Sequence, residues 1–409
     1  MIKITKKTEK IPVYDITVEK NHNFFANDVV VHNCTEIIEY SSPEETAVCN
    51  LASIALPKFV VGKGKKAYFD FDALKDIAYT ATINLNRVID VNYYPTKETK
   101  KSNMLHRPIG LGVQGLADTF AMLKIPFDSQ IAKNLDREIF ETIYYGAMEA
   151  SVDLAEKEGA YESFKGSPLS EGKFQFDLWG VKPSNEERWN NLKAKIKKTG
   201  LRNSLIIAIA PTATIASIVG SYEAIEPQIS NLFKRETLSG EFMQVNKYLV
   251  NDLKALGLWN EELRNEIKIS EGSIQNIDQI PQNLKDLYKT VWEVPMKALV
   301  DMAADRGAYI DQAQSLNLFI ESPTIGKLSS MYMYAWKRGI KTTYYLRSRP
   351  ATSIAKTTVK SSEAKTTSSG PSNIMDATTA ATAPEKKNYS DSEIIACSLD
   401  NPEACEACQ

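Results

Sequence analysis

Two thiols and a carboxylate occur close together in the stretch CTEIIEYSSPEETAVCNLASIAL. Cys34 is followed two residues later by Glu36, and Cys49 comes fifteen residues after Cys34. A thiol beside a carboxylate suits hydrogen-atom chemistry on an alcohol, because the sulfur takes a hydrogen atom from carbon while the carboxylate accepts the hydroxyl proton. A second thiol supplies a reducing hydrogen. Each cysteine taken alone is better explained as a small buried hydrophobe.

The tripeptide His32, Asn33 and Cys34 can carry out chemistry on its own backbone. The Asn33 side-chain amide can attack its own carbonyl carbon to form a succinimide, which breaks the peptide bond to Cys34 while His32 donates a proton. The Cys34 thiol can capture an acyl group by thioester exchange. An ordinary loop that happens to contain these residues is the alternative.

Near the end of the chain, Cys405 and Cys408 form a C-x-x-C motif behind a long polar stretch. Serine, threonine and alanine make up 20 of the 38 residues at 353–390, so this stretch cannot bury enough apolar area to order itself. A dithiol on such a tether can swing into a site, reduce a disulfide by exchange and be reduced in turn. A zinc site that also uses Cys397 is the alternative, but no histidine follows His106 to complete it.

Tyr344 and Tyr345 are adjacent phenols, which are oxidisable side chains that permit radical hops between neighbouring rings. The dipeptide alone is weak evidence, because packing is the usual role of tyrosine in helices and strands. The chain contains two further pairs, Tyr93 with Tyr94 and Tyr144 with Tyr145.

A possible anion site follows the apolar run at 205–210, which predicts a strand buried on both faces. The motif PTATIAS comes next, and its threonines predict a helix N-terminus there. Unpaired N–H groups and the positive end of the helix dipole at such a position favour an anion. A routine threonine cap is the alternative. The candidate residues are Pro211, Thr212, Ala213, Thr214, Ile215 and Ala216.

The elements that must position these groups indicate an α/β fold. Residues 1–33 alternate as strands do and predict a small β element. Residues 34–352 mix amphipathic helices with short apolar strands, the pattern of an α/β body. A long core helix is predicted from a Ser129 cap to Gly159 by apolar residues that recur every four positions. These are Ile131, Leu135, Ile139, Ile143 and Ala147. The flexible linker at 353–390 then leads to a terminal segment at 391–409.

Composition excludes several classes of function. The formal net charge is -2, so no excess of one sign points to nucleic acid or an anionic membrane as partner. No apolar run reaches the roughly 18 residues of a membrane span, and the first residues do not form a signal-peptide core. We expect a cytoplasmic protein. The chain has only three histidines, so a zinc site or a Ser/His hydrolase in the main body has little to work with.

The sequence VYDITVEKNHNFFANDVVVHN closely resembles the C-terminal splicing motifs of inteins. By this resemblance Asn33 is the terminal intein asparagine, His32 its penultimate histidine, and Cys34 the first residue of the flanking protein. His22 and Asp15 are the supporting polar residues of the upstream block. An intein also needs an N-terminal portion with its own nucleophile, which this sequence lacks. We therefore expect either a split intein that splices in trans or a truncated sequence.

A second resemblance is to the large subunit of the aerobic, small-subunit-dependent ribonucleoside-diphosphate reductases. It covers nearly all of residues 34–350 and resumes at 391–409. The family fold is a ten-stranded α/β barrel, of which this chain would supply the C-terminal half. The blocks that carry the resemblance are CTEIIEY, AVCNLASIAL, HRPIGLGVQGLAD, FETIYYGAMEAS, RNSLIIAIAPTATIAS, SNLFKRETLSGEF, RGAYIDQAQSLN and TTYYLRSRPA.

The resemblance assigns roles to the residues around the two thiols. Cys34 becomes the thiyl-radical cysteine that abstracts the 3′-hydrogen of the ribose, and Glu36 the base on the 3′-hydroxyl. Cys49 becomes one of two thiols that reduce the 2′-position, with its partner in the missing half. Tyr344 and Tyr345 lie on the path from the small subunit's radical to Cys34.

The resemblance also implies partners. The 211–216 motif would hold the diphosphate of the ribonucleoside diphosphate substrate, although Ile215 stands where the family commonly has a hydroxyl. The dithiol of Cys405 and Cys408 would be reduced by thioredoxin or glutaredoxin. No cofactor or metal is expected in this chain, because the radical comes from a metal-containing small subunit. Nucleotide effectors would bind the missing N-terminal half.

Together these features predict a precursor of a reductase large subunit. Removal of residues 1–33 by splicing to a separate N-terminal half would complete it. The alternative is a self-processing intein fragment whose reductase portion is passive.

Overall fold

The computed structural model describes residues 23–26, 29–32, 36–237 and 240–349. The helices in this part of the chain are α1 (Phe71–Val91), α2 (Lys97–His106), α3 (Leu116–Leu123), α4 (Gln130–Glu158), α5 (Gln175–Leu178), α6 (Glu186–Thr199), α7 (Ala213–Val219), α8 (Lys247–Ala255), α9 (Glu261–Ile269), α10 (Gln282–Leu287), α11 (Met296–Gly307) and α12 (Ile325–Lys337). The strands are β1 (Asn23–Ala26), β2 (Val29–His32), β3 (Asn50–Ala55), β4 (Val60–Val61), β5 (Tyr68–Phe69), β6 (Ile109–Gln114), β7 (Leu232–Thr237), β8 (Gly240–Val245), β9 (Leu318–Glu321) and β10 (Leu346–Arg349). None of these described helices is long and apolar enough to cross a membrane.

Five parallel segments follow one another in chain order and form the centre of the fold. β3 pairs with β6 in parallel, and β6 bonds to residues 205–210 through the Leu111 N–H and the Ile206 carbonyl at 2.7 Å. Residues 205–210 bond in turn to residues 312–316. Residues 312–316 continue into β9 as one segment, and β9 pairs in parallel with the fifth segment, β10. Helices connect successive segments, so the predicted α/β fold is confirmed, while membership of a ten-stranded barrel stays a prediction.

The predicted strand at 205–210 is buried and extended, but it is not a regular ladder. Its contacts are isolated parallel bridges, at Ile207 with Leu111 and at Ile209 with Gln314. One cause is Asp311, whose carboxylate accepts the N–H groups of Ile206 and Ile207 at 2.8 and 2.7 Å. A side chain thereby takes two donors that a neighbouring strand would otherwise bind.

The predicted long helix is confirmed as α4. The Ser129 hydroxyl accepts the Ala132 N–H at 3.1 Å, and Gly159 ends the helix with a φ of 83°. The four-residue stripe is only partly buried, however, because Ile139 and Ala147 are in the core while Ile131 is 65% exposed. Each step of four residues turns about 40° beyond a full circle. A stripe with this spacing therefore winds out of the core.

The described part of the predicted N-terminal β element consists of β1 and β2. These strands pair antiparallel, with Asn23 opposite His32 and Ala26 opposite Val29.

Candidate active site

The segment that begins at Glu36 lies against the fourth parallel segment. Glu36 is 5% exposed, and its carbonyl oxygen accepts the Ala313 N–H at 3.0 Å. Two residues later, the Ile38 N–H donates to Gln312 Oε1 at 3.1 Å. Backbone hydrogen bonds therefore hold the carboxylate segment against residues that follow it by more than 270 positions. Cys34 lies outside the described residues.

Gln312 connects the Glu36 segment to the Cys49 thiol. Its Nε2 group donates to the Ile109 carbonyl at 3.0 Å and approaches Cys49 Sγ at 3.9 Å, while its Oε1 accepts the Ile38 N–H. The glycine at position 110 leaves room for this arrangement, because a Cβ there would lie 3.0 Å from Cys49 Sγ. Sequence reasoning missed Gln312. The sequence offers little signal, because Asp311, Gln314 and Ser315 are polar residues beside it.

Glu39 is the second residue of this site that sequence reasoning missed. Both of its carboxylate oxygens are buried, and neither receives a well-formed hydrogen bond from the described residues, although the carboxylate faces the Cys49 thiol. Burial raises the pKa of Glu39 to about 7, and the nearby Asp311 carboxylate adds to this rise. Burial likewise raises the pKa of the Cys49 thiol, and the negative charge of Glu39 raises it further. The thiol is therefore protonated at neutral pH.

Lys341 fixes the turn that carries Gln312. Its Nζ donates to the carbonyls of Ile310, Asp311 and Gln312 at 2.9, 2.8 and 2.7 Å. Burial raises the pKa of Asp311 to about 6, although the backbone N–H groups that donate to its carboxylate oppose this rise. Lys341 and Asp311 therefore fix the backbone of the turn that carries Gln312.

His106 anchors the other part of the segment between Glu36 and Cys49. Its Nε2 lies 2.9 Å from the Glu45 carboxylate, and its Nδ1 lies 2.6 Å from the Ser163 hydroxyl. Glu45 is 8% exposed. The imidazole therefore holds a buried carboxylate in place.

Tyr344 and Tyr345 lie at the start of the fifth parallel segment. Their ring centres are 4.0 Å apart, and the Tyr344 hydroxyl donates to the Tyr345 hydroxyl at 3.2 Å. The Tyr344 N–H donates to the Leu316 carbonyl at 2.7 Å, and the Tyr345 N–H to Asn317 Oδ1 at 3.0 Å. The pair therefore adjoins the segment that carries Gln312.

The other two tyrosine pairs have different surroundings. Tyr93 is 85% exposed. Tyr144 is buried and packs against Phe174 and Trp189, with ring centres 6.1 and 5.6 Å away.

The candidate phosphate motif forms the start of α7, but its threonine does not cap the helix as predicted. Thr212 is left-handed, with a φ of 58°, and its hydroxyl accepts the Ala224 N–H at 2.8 Å. The Ala216 N–H donates a hydrogen bond to the Thr212 carbonyl at 2.9 Å. The helix itself therefore uses the Ala216 N–H, and the phosphate role of residues 211–216 stays a prediction. The side chains at 213–215 are exposed.

Of the remaining predicted site residues, only His32 lies within the described ranges. Asp15, His22, Asn33, Cys405 and Cys408 lie outside the described residues, and His32 is the last residue of β2. Within the described ranges, no group of three or more His, Cys, Asp or Glu side chains is arranged to hold a metal ion.

Comparison with known proteins identifies the family. Residues 5–346 match the family described as "Ribonucleotide reductase, barrel domain". The chain belongs to this family. The ribonucleotide reductase match runs through most of the segment that resembles an intein, and the intein assignment stays a prediction.

Similar proteins include two large subunits. One is the "Ribonucleoside-diphosphate reductase large chain" of Schizosaccharomyces pombe, 49% identical over 385 residues, or 92% of this chain and 47% of that one. Another is the "Ribonucleoside-diphosphate reductase large subunit" of Caenorhabditis elegans, 53% identical over 334 residues, or 81% of this chain and 42% of that one. The chain thus spans about half the length of the curated relatives it matches.

A solved structure is also similar. The "Actinobacillus ureae class Id ribonucleotide reductase alpha subunit" matches with a TM-score of 0.61 and 27% identity, over 77% of this chain and 52% of that chain. It supports the α/β fold of the barrel-domain family.

Proposed function

We propose that this chain is the C-terminal part of a ribonucleoside-diphosphate reductase large subunit and converts ribonucleoside to deoxyribonucleoside diphosphates after it joins an N-terminal half. The observation that carries the proposal is the position of the Glu36 segment. Its backbone is bonded to residues 312–313, which contact the Cys49 thiol on one side and adjoin the segment of the Tyr344 and Tyr345 pair on the other. The five parallel segments would be half of a ten-stranded barrel.

In this proposal each group has a separate task. Cys34, as a thiyl radical, takes the 3′-hydrogen of the ribose, and Glu36 accepts the 3′-hydroxyl proton. Cys49 and a thiol of the missing half supply two electrons and two hydrogens, of which one is bonded to the 2′-carbon and the other leaves with the 2′-hydroxyl. Water leaves from that carbon, and the thiols become a disulfide. Tyr344 and Tyr345 would pass to Cys34 the radical that a metal-containing small subunit would supply.

The remaining contacts complete the cycle. The N–H groups of Ala213, Thr214 and Ile215 at the start of α7 would bind the substrate diphosphate, with Pro211, Thr212 and Ala216 shaping the turn. The Cys405 and Cys408 dithiol would reduce the disulfide by exchange, and thioredoxin or glutaredoxin would reduce that dithiol. Nucleotide effectors would bind the missing N-terminal half.

Maturation is part of the proposal. Residues 1–33 would act as the C-terminal segment of an intein that splices in trans. Asn33 would cyclise with the help of His32, with His22 and Asp15 in support, and Cys34 would capture the N-terminal half. Cys34 would therefore act first as a nucleophile and later as the radical carrier.

Replacing Cys34 by serine tests both tasks. The chain is mixed with an N-terminal half that ends in an intein N-terminal segment, and mass spectrometry follows formation of a joined product that lacks residues 1–33. A serine hydroxyl still accepts an acyl group, so Cys34→Ser splices slowly. Because an alcohol O–H bond is much stronger than a thiol S–H bond, the joined variant makes no deoxynucleotide.

Three outcomes would contradict the proposal. Normal joined product from Asn33→Ala would refute the intein assignment. Deoxynucleotide formed by the joined Cys34→Ser enzyme at near the parent rate would refute the radical role of Cys34. A joined parent that is inactive with its small subunit would favour the passive alternative.

A further inference from the structure

The Glu39 carboxyl is a buried acid that the reductase chemistry above does not use. Neither of its oxygens has a well-formed hydrogen bond among the described residues, and the group that it faces is the Cys49 thiol. Burying a carboxyl without a good donor costs free energy. Stability alone therefore does not explain why an acid occupies this position.

The Cys49 thiol must exchange a proton whenever it takes part in thiol–disulfide chemistry. Gln312 Nε2 approaches Cys49 Sγ at 3.9 Å, and the thiol hydrogen is directed to either the Asn50 carbonyl at 3.8 Å or the Glu39 carboxylate. A thiol must lose its proton to attack a disulfide, and a thiolate that leaves a disulfide must gain one. The Cys49 side chain is partly buried, so a neighbouring acid and base gives its proton a shorter path than bulk water does.

We propose that Glu39 is the proton carrier of the Cys49 thiol during thiol–disulfide exchange. The assignment rests on the proposed function, in which Cys49 forms a disulfide that an incoming dithiol reduces. When the incoming thiolate breaks the S–S bond, the Cys49 thiolate leaves with the bonding electron pair and takes the proton of the Glu39 carboxylic acid. The Glu39 carboxylate then accepts the proton of the dithiol's second thiol, which attacks the mixed disulfide and closes the new one, while the partner thiol of the missing half leaves as a thiolate with the bonding electron pair.

The protonation behaviour of Glu39 suits this task. A proton carrier works best when its pKa lies near the working pH, and burial raises the pKa of Glu39 to about 7. The charged groups around the pair are Asp311, which raises the pKa of both Glu39 and Cys49, and Lys341, which acts on Asp311. Neither Asp311 nor Lys341 is free to carry the proton, because backbone groups occupy both.

The reverse reaction can be measured on this chain alone. Methyl methanethiosulfonate is a small neutral reagent that converts Cys49–SH to Cys49–S–SCH₃. Methanesulfinate leaves with the electron pair, and the proton passes to Glu39. Digestion and mass spectrometry give the rate for the Cys49 peptide separately from the other cysteines. The rate is followed from pH 5 to pH 10 in the parent, Glu39→Gln, Glu39→Asp and the control Glu44→Gln, which removes an exposed carboxylate of the same segment.

In the parent, the Cys49 rate should rise through an inflection near pH 7. Glu39→Gln should lose this inflection and react roughly a hundredfold more slowly at pH 8, the lower end of general-base effects. Glu39→Asp should retain an inflection, and Glu44→Gln should match the parent.

Several results would overturn the assignment. The first is a parent profile with no inflection near pH 7, which needs no variant and so does not depend on whether one folds. The second is an unchanged or faster rate in folded Glu39→Gln, or an inflection that persists there and so belongs to Asp311. None of these results bears on deoxynucleotide formation, so failure of this inference is distinguishable from failure of the reductase proposal.

Discussion

The Tyr344 hydroxyl donates a hydrogen bond to the Tyr345 hydroxyl at 3.2 Å, and the two ring centres are 4.0 Å apart. Ring contact allows an electron to pass between the phenols, and the hydrogen bond gives the accompanying proton a short path. Both backbone N–H groups are bonded to the neighbouring segment, at Leu316 and Asn317. The geometry of the pair is therefore set by the parallel segments rather than by the dipeptide.

Replacing either tyrosine by phenylalanine should stop nucleotide reduction with the fold intact. Each change removes one hydroxyl and its hydrogen bond, which costs about 1 kcal/mol of stability. Phenylalanine is too hard to oxidise to carry the radical. Product formation is measured in the joined enzyme with its small subunit, and the control is Tyr93→Phe, which is 85% exposed. Near-parent activity of Tyr344→Phe or Tyr345→Phe would rule out a role in radical transfer.

Local signals explain what the sequence predicted well. The caps of α4, Ser129 and Gly159, act on residues within one helical turn and are readable without a structure. The apolar run at 205–210 is readable for the same reason, although Asp311 changes its hydrogen bonds. The α/β pattern follows from such elements in alternation.

The polar surroundings of Cys49 were not predictable in this way. Gln312 lies 263 positions after Cys49, and only the parallel pairing of 205–210 with 312–316 brings it to the thiol. Glu39 stands within a segment that has no regular secondary structure, so no periodicity shows that its side chain is buried. Long-range contacts and irregular backbone are therefore the parts that sequence reasoning missed.

Two glycines of β6 should respond differently to substitution by alanine. At Gly112 a new Cβ would lie 2.7 Å from the backbone oxygen of Ala208, which cannot turn aside. At Gly110 the new Cβ first meets the side-chain end of Leu51, which is 48% exposed and can rotate away. Gly112→Ala should lower the free energy of unfolding by about 1–3 kcal/mol, and Gly110→Ala by less. Urea denaturation measures both, and equal losses would contradict this account of the close approach between segments.

The buried ion pair of Arg306 and Asp136 should be costly to break on one side. Arg306 Nη1 lies 2.8 Å from Asp136 Oδ2, and the two side chains are 1% and 0% exposed. Arg306 Nε also donates to Gln314 Oε1 at 2.7 Å. Arg306→Met leaves the carboxylate buried without its cation and should destabilise the fold by about 3–5 kcal/mol.

Two matched variants test the origin of that loss. Arg306→Met combined with Asp136→Leu removes both charges and should recover much of the stability. Lys182→Met breaks a pair with Glu186 whose side chains are 88% and 61% exposed, so it should change the stability by less than about 1 kcal/mol. If the double variant is as unstable as Arg306→Met, lost packing rather than an unpaired charge explains the effect.

Glu39 should make the fold less stable as the pH rises. Its pKa is raised from 4.5 to about 7 in the folded chain, so between these values the folded state keeps a proton that the unfolded state has lost. Stability therefore falls from pH 5 to pH 8. Because one pKa unit corresponds to about 1.4 kcal/mol, the contribution of Glu39 is on the order of 3 kcal/mol.

Asp311, whose pKa is raised to about 6, lowers the stability of both proteins in a similar way as the pH rises. The comparison between the parent and Glu39→Gln therefore isolates the contribution of Glu39. The free energy of unfolding is measured in urea at pH 5 and pH 8. The parent should lose more stability than Glu39→Gln across this interval, and Glu44→Gln should behave as the parent because that carboxylate is exposed. At pH 8 Glu39→Gln should be the more stable protein, since no buried charge forms. A parent and a Glu39→Gln variant with the same pH dependence would mean that Glu39 is ionised throughout, and the carboxyl would then be unable to hold a proton for Cys49.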